Sequence, residues 1–238
     1  MMKTLIIIPA FNESNSIEQV IHSLDEVRHE QLDLLVVNDC STDETASIAK
    51  GTGKAYVLSL SSNLGIGGAV QTGFIFARDR DYDCAVQFDG DGQHIAVEIP
   101  KLITPIENGE ADVVIGSRFN QPHGGFRTSP SRRFGIRIFQ LLIRLITGDR
   151  IADSTSGFRA YGKEAIALLA DSYPSDFPEP EAIIILGRNG FKLREVFTEM
   201  QERKHGLSSI RGIKSIYYMI KVSLSMVISG IRPKVKTS

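Results

Sequence analysis

Apolar residues in this chain come in short, nearly unbroken runs separated by longer stretches with helical spacing. Leu5, Ile6, Ile7 and Ile8 form the first run, and residues 32–37, 55–60, 84–88 and 111–115 repeat it. Runs this short and apolar on both faces fit strands buried in a mostly parallel sheet, because half-exposed strands would alternate polar and apolar positions. Between them, Ile17, Val20, Ile21 and Leu24 recur at helical spacing within residues 15–28. Residues 65–80 and 95–107 are read as helices as well. Another helix follows residue 38, with Ser41 or Thr42 as its cap and Glu44 near its start. Strand and helix thus alternate through the first 115 residues, which predicts an α/β fold, a Rossmann-like and mostly parallel sheet flanked by helices.

Ligands of such sheets bind beyond the carboxyl ends of the strands. Segments 9–13, 38–43, 61–68, 89–94 and 116–118 are therefore expected to share one crevice, and they concentrate polar residues and glycine. No repeat or low-complexity linker interrupts the chain. It reads as one catalytic-type domain over 1–209 and a basic, amphipathic helical extension over 210–238. In that extension Ile213, Ile216, Ile220, Leu224, Val227 and Ile231 share a stripe, with Lys214 and Lys221 off it. Lys221 leaves ten uncharged residues before Arg232, too few to cross a bilayer. The favoured reading is a helix lying on a membrane surface or on a small membrane-protein partner, ahead of one packed on its own domain or in a homodimer.

Composition narrows this little: 42% hydrophobic and 23% charged residues in 238 describe an ordinary soluble domain with a sizeable core. Cys40 and Cys84 are the two cysteines and make no CxxC, so neither a disulfide framework nor a zinc site is indicated and a reduced cytoplasm fits. The amino-terminal apolar run ends at Pro9 after four residues, short of a signal-peptide core. Charge distribution is more telling than the net charge of −1. No acid follows Glu202, while Arg203, Lys204, Arg211, Lys214, Lys221, Arg232, Lys234 and Lys236 do, and Arg127, Arg132, Arg133, Arg137, Arg144 and Arg150 make a second basic block. An anionic surface or ligand is the natural counterpart. Nucleic acid is disfavoured, since no aromatic interleaving or recognition motif accompanies the basic residues.

The candidate chemistry centres on Asp89-Gly90-Asp91-Gly92-Gln93-His94, at the end of the fourth apolar run. Carboxylates at i and i+2 of a strand share a face. Held together they repel unless a cation compensates, and a hard divalent ion such as Mg²⁺ or Mn²⁺ bridging to substrate phosphates would do so. The alternative for the same residues is an Asp-Gly turn. Gly65-Ile66-Gly67-Gly68 resembles a dinucleotide fingerprint but follows the third strand and lacks the third glycine. It is read as a tight helix entry beside a nucleotide, with simple packing at Gly67 as the alternative.

Seven segments in order resemble the family 2 glycosyltransferases, specifically polyprenyl-phosphate sugar transferases of the dolichyl-phosphate mannose synthase type. They are Ile8-Pro9-Ala10-Phe11-Asn12-Glu13, Val37 to Asp43, Asn63 to Ala69, Asp89 to His94, Gly116-Ser117-Arg118, Asp153 to Arg159, and Arg203 to Ser209. The resemblance implies a GT-A fold, a nucleotide-diphosphate sugar donor, a divalent metal and inversion at the anomeric carbon. Pro9, Ala10 and Phe11 would form an apolar platform for the nucleotide, and Glu13 and Asp39 would accept from ribose hydroxyls or base N–H groups. Asp39 also suits a helix cap. Asp91, with Asp89 and Gln93, would hold the metal, Asp91 being the more direct ligand by resemblance. Arg203, on a loop with Ser208, would add a cation to the diphosphate.

The acceptor side stays open between two chemistries. Arg118, Arg132, Arg133 and Arg159 suit an acceptor phosphate through their guanidinium forks, and a phosphate oxygen needs no base. Glu181, in Glu179-Pro180-Glu181, would serve as base if the acceptor were a hydroxyl of a lipid-linked saccharide or polysaccharide. Alternatively both glutamates are helix N-terminal acids. A UDP donor is favoured over GDP, polyprenyl phosphate over a hydroxyl, and the inner face of the plasma membrane, in cell-envelope glycan synthesis, as the place of work. A non-catalytic sugar-nucleotide-binding subunit of a membrane complex and a sugar-phosphate nucleotidyltransferase are the weaker readings. The second lacks the glycine-rich basic loop after strand one, where Pro9-Ala10-Phe11-Asn12-Glu13 stands instead.

Overall fold

The structure, a computed structural model, describes residues 2–28, 30–119, 130–201 and 213–233, without the side chains of 130–134, 213–216 and 218. Seven strands form one sheet: β1 (Thr4–Ala10), β2 (Leu32–Asn38), β3 (Tyr56–Ser59), β4 (Cys84–Gln87), β5 (Val113–Ser117), β6 (Arg159–Gly162) and β7 (Leu193–Phe197). Eight α-helices accompany them: α1 (Ile17–Glu26), α2 (Thr45–Gly51), α3 (Gly65–Asp79), α4 (Ile99–Glu107), α5 (Pro130–Thr147), α6 (Lys163–Ser172), α7 (Pro178–Arg188) and α8 (Ile213–Ile231). The strand order is β3-β2-β1-β4-β6-β5-β7. All neighbours run parallel except β6, which is antiparallel to both β4 and β5.

Every residue of β1 is buried, and its alternate side chains feed two cores. Leu5 and Ile7 face Val70, Phe74 and Leu169 on one side. Ile6 and Ile8 face Val20, Ile21 and Leu24 on the other. This two-sided burial is why the strands read as continuous apolar runs. A third cluster joins Ile115 to Phe139 and Ile143 of α5, Ile183 and Ile184 of α7, and Val222 and Met226 of α8.

The alternating elements expected from the sequence are present, with shifted ends and one different cap. α2 begins at Thr45, not after Ser41 or Thr42. Ser41 Oγ instead accepts the Asn12 N–H at 3.0 Å, the Thr42 N–H donates to Asn12 Oδ1 at 2.9 Å, and Asp43 Oδ1 accepts the Thr45 N–H at 3.0 Å. The would-be caps therefore tie the loop after β2 to the loop after β1. Residues 95–107 divide into a 3₁₀ turn, Ala96–Glu98, and α4. α5, α6, β6 and β7 went unread in the sequence.

Two features place the cleft. β1 has β2 on one side and β4 on the other, so the segments that follow these three parallel strands gather at one carboxyl edge, where ligands of such sheets bind. The reversal of β6 sets Arg159 opposite Gln87 and Ile115, which brings residues 153–158 to that same edge.

Close approach of α3 to β1 depends on Gly73, where an added Cβ would stand 2.3 Å from Ile7 Cγ2. Gly73→Ala is expected to destabilise the protein, because overpacking costs about 1–3 kcal/mol against a helix-propensity gain of about 1 kcal/mol. Urea unfolding checks this, and a stabilised variant would show that the two elements part easily.

Candidate active site

A cleft of about 210 Å³ lies at the carboxyl ends of β1, β2 and β4, lined by Pro9, Ala10, Phe11, Glu13, Asp39, Ile66, Ala69, Asp89, Gly90 and Asp91. Phe11, 47% exposed, offers an apolar face there, while Pro9 and Ala10 form the buried floor. Asp39 is almost wholly buried. Its N–H donates to Ala10 O at 2.9 Å and its Oδ1 accepts the Leu64 N–H at 2.7 Å. It therefore caps the entry to α3 and lines the cleft at once. Ser16 Oγ stands 2.9 Å from Glu13 Oε2 and 2.8 Å from Gly90 O, joining the first loop to the acidic turn.

Residues 90–91 form the turn of the alternative reading, and Asp89 and Asp91 both line the cleft. Gly92, at φ +77°, occupies a conformation that favours glycine. It lets Asp91 Oδ1 accept the Gln93 N–H at 3.0 Å. Asp89 is gripped from several sides. His94 Nε2 lies 3.1 Å from Asp89 Oδ2, and against a carboxylate the ring must be the donor. The His94 ring stacks on Phe158, centroids 4.8 Å apart, and meets Phe88 edge-on. A Cβ at Gly157 would stand 2.9 Å from Asp89 Oδ2 and 3.0 Å from Gln87 Nε2, so only glycine permits this approach. Burial pushes the Asp89 carboxyl up, but the His94 hydrogen bond and charge, the Gln87 amide and the Arg118 cation together hold it below its ordinary value.

A divalent ion fits this donor set. Four carboxylates, Glu13, Asp39, Asp89 and Asp91, surround the cleft, and all offer the hard oxygen atoms that Mg²⁺ and Mn²⁺ select. Among the described residues no three His, Cys, Asp or Glu side chains form a closed protein cage. Gln93 lines neither this cleft nor the cavity on the other side of Asp91. Its backbone is engaged instead, the carbonyl accepting the Gln201 N–H at 2.9 Å beside a bridge between His94 and Met200. This pairing brings the segment leading to Arg203 up to the acidic turn. Arg203 and Ser208 themselves lie outside the described residues, as do the side chains of Arg132 and Arg133 in the first turn of α5.

Four sequence expectations change. A Cβ at Gly67 would meet Pro174 O at 2.3 Å and Ser175 O at 2.5 Å, so Gly67 packs on the loop between α6 and α7, and its neighbour Ile66 lines the cleft. The Arg118 fork is engaged by Asp153, Nε to Oδ2 and Nη2 to Oδ1 both at 2.7 Å, with Thr155 Oγ1 at 2.9 Å. Arg159 is fully buried and donates to three backbone carbonyls, Ser156 at 2.7 Å, Glu179 at 2.7 Å and Ser154 at 2.9 Å. It is a structural tie, not an acceptor ligand. Glu181 faces away, accepting from Ser229 Oγ of α8 at 2.9 Å and lining a separate cavity of about 460 Å³.

Of the two glutamates, Glu179 is the one whose carboxyl feels the Asp89 charge. Burial raises its carboxyl above the ordinary value, Arg159 opposes this, and the Asp89 charge adds to the rise. Sequence spacing offered no way to choose Glu179 over Glu181, since both stand in the first turn of α7. His94, Gln87 and Gly157 were equally silent, because the fold turns the His94 ring back onto Asp89 and brings Gly157 against Asp89 and Gln87.

The profile of the family described as Glycosyl transferase family 2 matches residues 5–169, the stretch that carries this cleft. The chain belongs to that family. Its relatives include a UDP-N-acetylglucosamine–dolichyl-phosphate N-acetylglucosaminyltransferase of Methanococcus voltae, 30% identical over 94% of this chain and 97% of the relative. Another is a polyprenol monophosphomannose synthase of Mycolicibacterium smegmatis, 32% identical over 93% and 86%. Among solved structures, glucosyl-3-phosphoglycerate synthase of Mycobacterium tuberculosis superposes with a TM-score of 0.74 at 20% identity, covering 98% of this chain and 81% of that one. The GT-A fold is shared, and that enzyme has been crystallised with Mn²⁺ and UDP.

In this family 2 glycosyltransferase His94→Phe keeps the stack on Phe158 and deletes the donor to Asp89. Losing such an outer partner weakens metal binding by roughly 10–100-fold, which electron paramagnetic resonance of Mn²⁺ binding reads directly. Unchanged Mn²⁺ affinity would assign the ring to packing alone. The loops respond to acid in a definite direction. Burial pushes Asp43 up, but hydrogen bonds from the Thr45 hydroxyl and N–H and the Ser14 N–H bring it down to about 2 from 3.8. Its stabilisation is present above the unfolded value and is lost as pH falls through about 2. Melting temperatures of wild type and Asp43→Asn should therefore differ at neutral pH and converge in strong acid.

Proposed function

We infer that this glycosyltransferase moves a sugar, with inversion, from a nucleotide diphosphate, UDP ahead of GDP, to polyprenyl phosphate. The reaction belongs to cell-envelope glycan assembly at the cytoplasmic face of the plasma membrane. The observation that carries the acceptor is the extent of the likeness. The archaeal relative, named for transfer from UDP-N-acetylglucosamine to dolichyl phosphate, is matched over 97% of its length, so the acceptor half is compared as fully as the donor half. An undecaprenyl-phosphate mannosyltransferase of Micrococcus luteus, 32% identical, supports the same acceptor class.

Asp91 and Asp89 would hold Mg²⁺ or Mn²⁺. When bound, that ion neutralises charge developing on the leaving nucleotide diphosphate. Phe11, Pro9 and Ala10 bind the nucleotide's apolar faces, and Glu13 and Asp39 accept from its hydroxyl or N–H donors. Arg203 and Ser208, which follow Gln201 in the chain, would add a cation and a hydroxyl to the diphosphate. Arg132 and Arg133, at the start of α5, are the cations assigned to the acceptor phosphate, since the Arg118 fork is engaged by Asp153. An acceptor phosphate is already anionic and attacks without a base, consistent with Glu181 lying outside the cleft.

A second reading, with a saccharide hydroxyl as acceptor, is favoured by one observation, the raised Glu179 carboxyl near Asp89. The test incubates the protein with Mn²⁺, labelled UDP- and GDP-sugars and polyprenyl phosphate. The expected product is labile to mild acid, and Asp91→Asn lowers turnover roughly 10²-fold or more. Glu179→Gln should leave that rate within a few-fold. A primer-dependent, acid-stable product overturns the reading, as does a roughly 10²–10⁴-fold loss in Glu179→Gln with a rate rising through the raised Glu179 titration.

A further inference from the structure

The cavity of about 460 Å³ that takes in Glu181 lies apart from the cleft, between α7, α8 and the loop of residues 172–176. Its size falls within the about 300–1,000 Å³ of small-molecule sites. Its α7 wall is polar where a helix packed inside the protein would be apolar. Glu181, Ile185, Arg188 and Asn189 fall at i, i+4, i+7 and i+8, one side of the helix and its cap. Ser225 and Ser229 of α8 stand one turn apart on the opposite wall. The two helices are joined around this space. Ser229 Oγ donates to Glu181 Oε2 at 2.9 Å, and Arg188 Nη1 donates to the carbonyls of Ser229 at 3.2 Å and Arg232 at 2.6 Å.

Glu181 is 7% exposed, and the Ser229 hydroxyl is its one side-chain partner among the described residues. A carboxylate offers about four acceptor positions, and leaving them unused in a buried place costs free energy. A ligand with hydroxyl donors would answer that demand. The charges around Glu181 narrow the class further. An anion would meet the like charges of Asp176 and Glu181, a cation those of Arg188 and Arg232, and a hydrocarbon would strip water from all four. A neutral molecule rich in hydroxyls donates to the carboxylates and accepts from the guanidinium and amide N–H groups. Tyr173, Pro174 and Ile185 offer its C–H faces an apolar surface. These are the recognition needs of a saccharide.

The cavity shares its loop with the cleft. Tyr173 OH donates to Gln87 Oε1 at 3.3 Å, and Gln87, the last residue of β4, carries the amide that helps hold the Asp89 charge. The carbonyls of Pro174 and Ser175 lie where a Cβ at Gly67 would stand, in the first turn of α3 and next to Ile66 of the cleft. We propose that this cavity is a second, regulatory site for a neutral saccharide, whose binding braces residues 172–176 against β4 and α3 and so tightens a divalent ion and nucleotide in the cleft. Coupling between two sites is reciprocal, so a filled cleft tightens the saccharide by the same factor. The coupling needs only Asp89 in the cleft and is independent of which sugar donor or acceptor the enzyme uses.

Saturation-transfer difference NMR titrations of the full chain with glucose, mannose, N-acetylglucosamine and maltose, without metal, nucleotide or acceptor, test the site. At least one of these sugars is expected to bind, and inorganic phosphate and spermidine should not displace it. Ser225→Phe, which fills the cavity, should weaken that sugar at least tenfold, and Glu181→Gln should weaken it severalfold, with near-ultraviolet circular dichroism and the melting temperature unchanged. Asp91→Asn should leave its affinity within a few-fold, which separates this site from a sugar subsite in the cleft. Electron paramagnetic resonance reads the coupling: with UDP present, the sugar should tighten Mn²⁺ about fivefold or more. Tyr173→Phe should bind the sugar within a few-fold of wild type yet diminish that effect. Binding by none of the four sugars overturns the proposal, as does binding that survives Ser225→Phe, or displacement by phosphate or spermidine. Sugar binding that leaves Mn²⁺ affinity unmoved overturns the regulatory role. Absence of turnover on polyprenyl phosphate would count against the proposed function alone, since no acceptor enters these titrations.

Discussion

One buried cation holds the catalytic edge of the molecule together. Arg159 sits at the start of the reversed strand β6 with no exposure to solvent, and its guanidinium donates to the carbonyls of Ser154, Ser156 and Glu179. A buried charge is tolerated only when its donors are satisfied, so these carbonyls must converge on it, and the loop before β6 and the first turn of α7 are drawn to one place. The remaining contacts of the site depend on that convergence. Gly157 comes to rest against Asp89, Asp153 reaches Arg118, Phe158 supports the His94 ring, and the Glu179 carboxyl feels the Asp89 charge. An arginine that looks like a phosphate ligand acts here as the tie for the groups surrounding the acidic cleft.

The cleft that results is arranged before any ligand arrives. Loops after β1 and β2 are stitched by Asn12, Ser41, Thr42, Asp43 and Thr45, so the nucleotide-facing residues need little ordering on binding, which limits the entropy cost of recognition. Asp89 is likewise oriented by His94 and by contact with Gly157. Its carboxyl is held below the ordinary range despite burial. An oriented carboxylate of this kind would serve the proposed reaction, in which charge builds on a departing diphosphate. On the far side, α5 and α8 expose an apolar and cationic face, and Gln140 joins α5 to the loop that carries Asp153.

The order of elements through residue 115 was legible in the sequence because strands buried on both faces leave a signature that needs no tertiary knowledge. The acidic pair, the apolar platform of Pro9, Ala10 and Phe11, and the shared crevice were legible for a related reason: in a parallel sheet, position along the chain predicts position at the carboxyl edge. The second half was harder. β6 and β7 are four and five residues long, and Arg159 opens β6 with a charged residue where the pattern would ask for an apolar one. α5 is amphipathic but carries four arginines, so it reads as a basic block before it reads as a helix.

The sequence by itself determined the alternation of strands and helices, the family, and the presence of two carboxylates at one crevice, all of which rest on local periodicity and on motifs of residues close together in the chain. Tertiary structure alone decided the rest. It put Glu179, not Glu181, under the influence of the Asp89 charge, took Arg159 and the Arg118 fork for carbonyls and Asp153, set Gly67 against Pro174 and Ser175, and paired α5 with α8. In each case a deciding partner is distant in sequence, 20 residues away for Arg159 and Glu179, 35 for Arg118 and Asp153, and 48 for Glu181 and Ser229. A side chain's hydrogen bonds go to whatever the fold brings within reach, and that reach is set by the antiparallel insertion of β6, which no local pattern encodes.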